Sequence, residues 1–98
     1  MRFASDDLAE QFDRALENVI EVVRAAGGEP AHIGRLTIYV TDKHEYRAKT
    51  KEIGASYRAR MGKHFPAMSL VEVAALLEDR AKVEIEATAV LAGAGGAR

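Results

Sequence analysis

The chain has no cysteine. That absence removes disulfides, thiol catalysis and thiolate metal sites. Neither sign of charge is in excess: 14 basic and 15 acidic residues leave a net charge of −1. No electrostatic footprint for nucleic acid or an anionic membrane results. Long apolar runs are also missing. No segment approaches the roughly 18 apolar residues of a membrane span, and the opening MRFASDD lacks the apolar run of a signal peptide. A cytoplasmic protein is the expectation. His32, His44 and His64 lie far apart, with no partner at metal-ligand spacing. No metal and no zinc site is expected.

What remains is an ordinary globular composition, 98 residues with 48% hydrophobic and 30% charged. A chain this short forms one domain and buries only about 60–65% of its unfolded surface, so oligomerisation would help it. Residues 1–91 are expected to form that domain. The tail 92–98, rich in Gly and Ala, is expected to be flexible.

Residues 6–26 carry the strongest local signal. Leu8, Phe12, Ala15, Leu16, Val19, Ile20 and Val23 recur at helical spacing. Ser5 is the expected N-cap, and Gly27 and Gly28 stop the helix before Pro30. Residues 35–41, RLTIYVT, alternate as a strand: Leu36, Ile38 and Val40 on one face, Thr37 and Tyr39 on the other. Asp42 opens a second helix, predicted as one piece over 44–61 and ended by Gly62. Gly54 within it weakens it by about 1 kcal/mol relative to Ala, so a close packing contact is expected there.

The stretch FPAMSLVEVAALL, residues 65–77, reads as a buried strand over 67–73 followed by a turn. KVEIEATAVL, residues 82–91, reads as the last strand. The class is α+β, with two helices on one face of the sheet and a β-α-β crossover. The opposite face is expected to carry Thr37, Tyr39, Met68, Leu70, Glu72, Glu84, Glu86 and Thr88. Its mixed character fits a subunit interface with a wet pocket, or equally a partly solvated antiparallel face. Three strands make a narrow sheet with two edges that need covering.

The motifs Pro-Ala-x-Ser-x-Val-Glu-Val (66–73) and Val-Glu-Ile-Glu-Ala (83–87), with LTIYVTD and LENVIEVVRAAGG before them, resemble the Rid family of reactive-intermediate deaminases, the YjgF/YER057c/UK114 or endoribonuclease L-PSP-like group. The resemblance covers almost the whole chain. It implies a chorismate-mutase-like subunit, a homotrimer with small-molecule pockets between subunits, no cofactor and no metal. The implied activity is hydrolysis of enamines or imines to a carbonyl compound and ammonia. It further implies an N-terminal hairpin that has no counterpart in these residues, so a truncated start is expected.

Carried over by position, the water-positioning glutamate is Glu84. The family's carboxylate-holding arginine falls at Met68, and a helix-two asparagine falls at Gly54. Ser69 and Leu70 follow Met68 as further substrate-binding candidates. A thioether cannot pair with a carboxylate. An arginine–carboxylate contact contributes on the order of 1.5–3 kcal/mol, so its loss costs about 10- to 100-fold in binding. The expectation is a deaminase of altered specificity, acting on substrates without the usual carboxylate. The alternative is a non-catalytic, metabolite-binding trimer. Ribonuclease activity is disfavoured, because neither a basic patch nor a histidine pair is present. The structural role for each site residue stands beside the functional one: Glu84 as an interface acceptor, Met68 and Leu70 as core, His64 as a helix-end residue.

Overall fold

The computed structural model describes residues 5–91; the expected flexible tail lies outside them. Helix α1 spans Leu8–Ala25. Its N-cap is Asp7, whose carboxylate accepts the Glu10 N–H at 3.0 Å. Ser5 is therefore not the cap: its hydroxyl accepts the Asp7 N–H one step earlier, at 2.9 Å. Three capping residues in a row left the choice open, and the one next to Leu8 takes it. At the other end Gly27 adopts a positive φ of 95°, and the Gly28 N–H reaches the Val23 carbonyl at 2.9 Å. This Schellman closure needs glycine at position 27.

A short 3-10 turn at Pro30–His32 leads into β1, Ile33–Val40. Helix α2 follows at Lys43–Ala48 and α3 at Thr50–Met61. The single helix expected over 44–61 is thus two, broken at Lys49, whose φ of −110° and ψ of 14° leave the helical region. The break lets Tyr46 of α2 meet Phe12 of α1 edge-on, with ring centroids 6.4 Å apart, while Ile53, Tyr57 and Met61 of α3 stay buried. Gly62, with φ 64°, ends α3. Strand β2 is Ala67–Glu72 and β3 is Val83–Ala89.

The sheet order is β2-β1-β3. The crossover makes β1 and β2 parallel; β3 returns antiparallel on the other side of β1, with a register shift at Gly34. Both edge strands pair only with β1 among the described residues. The core lies between the sheet and α1 with α3. Phe12 and Leu16 sit opposite Leu36, Ile38 and Val40, all nearly inaccessible. Each such side chain contributes about 1.5–3 kcal/mol of burial.

Register overturns one expectation. Met68, Leu70 and Glu72 stand beside Leu36, Ile38 and Val40. In a parallel pair, laterally matched residues share a face. These three therefore lie on the helix side of the sheet, and Ser69 and Val71 join Thr37 and Tyr39 on the open side. Strand β2 is not buried either. All six of its residues are exposed, Met68 by 43% and Leu70 by 46%, because the helices cover β1 and β3 and leave this edge strand bare.

Among the described residues, no helix is long and apolar enough to cross a membrane. Gln11 is the one polar side chain buried in this part of the chain. Its amide donates to the Ser5 and Arg80 carbonyls, both at 3.0 Å, and accepts the Lys82 N–H at 2.8 Å. That network fixes the approach to β3.

Candidate functional site

On the open face, β1 and β3 set Glu84 opposite Tyr39 and Glu86 opposite Thr37. Tyr39 donates its hydroxyl diagonally to Glu86 at 2.9 Å. That bond, from a carboxylate to the protonated phenol, raises the Tyr39 pKa above its usual 10.0. Glu84 makes no side-chain hydrogen bond or ion pair among the described residues and is exposed.

Met68 stands elsewhere. It borders a crevice of about 210 Å³ on the helix side, beside Gly54, Tyr57, Arg58 and Phe65, with buried Ile38 and Ile53 among its other walls. Phe65 stacks on Tyr57 with centroids 5.4 Å apart. Met68 and Gly54, matched by resemblance, are thus brought together. Leu70 lies two residues along the same face, and Ser69 points to the opposite one. Glu84 is on the far edge of the sheet from all of them, because β1 lies between β2 and β3. Within one chain, Glu84 and Met68 do not share a pocket.

The close contact expected at Gly54 takes an unforeseen form. No other element presses on it; a Cβ there would meet the Arg58 guanidinium, Nη1 at 3.2 Å. Arg58 and Phe65 were not singled out from sequence. The Gly54–Arg58 spacing of one helical turn was the available signal.

Other candidates have structural partners. Glu72 accepts the Lys43 N–H at 2.8 Å at the start of α2. The His64 ring nitrogen Nε2 donates to the Ile33 carbonyl at 2.7 Å, and the His64 carbonyl accepts the Tyr57 hydroxyl at 2.7 Å. His64 ties the loop after α3 to β1. A larger apolar groove of about 640 Å³ runs between α1 and the free edge of β3, past Val19, Val22, Leu77 and Ile85. Among the described residues, no three His, Asp or Glu side chains gather as a metal site would require.

The family model described as Endoribonuclease L-PSP matches residues 1–91. The chain is 39% identical over 89 residues to the 2-iminobutanoate/2-iminopropanoate deaminase of Salmonella typhimurium, covering 88% of this chain and 66% of that protein. It is 40% identical over 87 residues to the Escherichia coli protein of the same name, covering 86% and 64%. The chain thus spans just under two thirds of the length of these relatives. Among solved structures, a Mycobacterium tuberculosis member of the YjgF/YER057c/UK114 family superposes with a TM-score of 0.77 at 38% identity, covering 90% of this chain and 71% of that one. The Escherichia coli YjgF gene product gives 0.75 at 38%, covering 90% and 68%.

Proposed function

This chain belongs to the endoribonuclease L-PSP family, the YjgF/YER057c/UK114 group, and from that membership we propose that it hydrolyses small reactive imines or enamines. Water adds to the imine carbon, the C–N bond of the resulting carbinolamine breaks, and a carbonyl compound and ammonia leave. Glu84 orients and deprotonates the water, and the proton it takes passes to the departing nitrogen. Met68, Ser69, Leu70 and Gly54 are the substrate-side candidates. The observation that carries the proposal is the 39–40% identity, over most of the chain, to two proteins named as 2-iminobutanoate/2-iminopropanoate deaminases.

Assembly as a homotrimer belongs to the same proposal. Phe65, Met68 and Leu70 are exposed on the helix side of the edge strand β2 and before it, and exposed apolar surface marks interaction sites. A site joining Glu84 to the Met68 crevice needs residues from two copies. A cytoplasmic setting is also proposed. Specificity is altered at Met68, whose soft thioether accommodates an apolar substituent.

The test is release of 2-oxobutanoate from freshly generated 2-iminobutanoate. Acceleration over buffer is expected. A folded oligomer that gives none supports the second candidate, a non-catalytic metabolite-binding assembly, which the uncharged Met68 itself favours. A trimer mass in solution is expected; a monomer under the same conditions contradicts the shared site.

A further inference from the structure

We propose that Arg58 is the anion-holding group of the Met68 crevice, and that the crevice takes a small carboxylate with a short apolar tail. The crevice has apolar or aromatic walls at Met68, Phe65, Tyr57 and Ile38, and Arg58 is the one charged side chain bordering it. No Asp or Glu lines it to neutralise that charge. Arg58 makes no ion pair and no side-chain hydrogen bond among the described residues. Its neighbour Arg60, by contrast, is fully engaged with Asp13, through Nε and Nη2 at 2.8 Å each.

The position of the guanidinium follows from the helix. Side chains on α3 lean toward its N-terminus, so Arg58 passes over the residue four positions earlier. That residue is Gly54, and a Cβ there would sit 3.2 Å from Nη1. Glycine gives the guanidinium room to lie along the helix at the crevice mouth. An unpaired guanidinium offers a planar fork of donors matched to a carboxylate, and the adjoining apolar walls suit an alkyl tail. The carboxylate is then held from α3 rather than from position 68. This changes the expectation at Met68: the charge is relocated, not dispensed with, and Met68 packs against the tail.

The inference rests on the imine-deaminase proposal only for the identity of the tail and the imino group; the anion site stands on its own geometry. Its test needs no turnover. Binding of 2-oxobutanoate, the stable hydrolysis product, is measured by titration against the whole chain, beside the uncharged 2-oxobutanamide. Saturable binding of the acid is expected, with the amide weaker by about 10- to 100-fold. Arg58→Gln is expected to erase that preference and Arg58→Lys to keep part of it. Gly54→Ala, which displaces the guanidinium without removing it but also adds a methyl group to the crevice wall, is expected to weaken the acid more than the amide. No saturable binding of the acid, equal binding of acid and amide, or an Arg58→Gln variant that still prefers the acid would each overturn the assignment. Binding as expected without imine hydrolysis would instead remove the catalytic proposal and leave Arg58 in place.

Discussion

Tyr39 donates to Glu86 and not to Glu84, although Glu84 stands directly opposite it across β1 and β3. The diagonal bond commits one carboxylate of the open face and leaves the other free. Glu86 is thereby held by Tyr39, and Glu84 has no side-chain partner among the described residues.

The same bond governs alkaline behaviour. All three tyrosines have pKa values raised above 10.0, Tyr39 by its bond to Glu86, Tyr46 and Tyr57 by burial. A raised folded-state pKa contributes stability that is complete below the unfolded value and disappears as pH climbs through the folded one. Near-ultraviolet titration of the native protein should show tyrosinate forming only above pH 10. The unfolding midpoint should begin to fall as the pH rises past about 10. Glu86→Gln should bring one tyrosine back toward its ordinary titration. No change in that variant contradicts the assignment of the bond.

Acid acts at the α1–α3 contact. The Arg60 guanidinium holds the Asp13 carboxyl down to about 2, with Ser56 donating to it as well. A lowered folded-state pKa gives stability that is present above the ordinary value of 3.8 and is lost as pH falls toward about 2. Solvent reaches 43% of the Asp13 side chain and screens the pair, so the contribution at neutral pH is about 1 kcal/mol. Asp13→Asn should lower the unfolding free energy by that amount near neutrality, and the gap should close near pH 2. A gap that persists in acid excludes this source.

Gln11 carries more than its exposed neighbours. Gln11→Leu keeps the volume of the side chain but leaves the Lys82 N–H without its acceptor and two carbonyls without their donor. Denaturant unfolding should show a loss of about 1–3 kcal/mol. A change within about 0.5 kcal/mol, ordinary for a surface substitution, would mean that water replaces the amide.

What could be read from the chain depended on the range of the interaction. The α1 stripe and the alternation of β1 are local and two-valued, so Leu16 and Ile38 were placed correctly by spacing alone. The faces of β2 were not. Met68 and Leu70 on one side and Val71 and Val73 on the other are all apolar, so alternation carries no sign there. Only the pairing of Met68 with Leu36 decides it, and a one-residue slip reverses it. The break at Lys49 has neither Gly nor Pro to announce it. The Gln11–Lys82 bond joins residues 71 positions apart, which no local pattern encodes. Within the site, Glu84 was named from a motif alone, while its want of a side-chain partner among the described residues and the Arg58 guanidinium over Gly54 depend on the folded chain.

Whether Glu84 performs the hydrolytic step is decided by one comparison of rates. Initial rates on freshly generated 2-iminobutanoate are measured for the wild type and for Glu84→Gln, both of the same oligomeric mass. Loss of a general base should lower turnover by about 100-fold or more, with binding of 2-oxobutanoate preserved. A Glu84→Gln variant that hydrolyses the imine at the wild-type rate would contradict the claim.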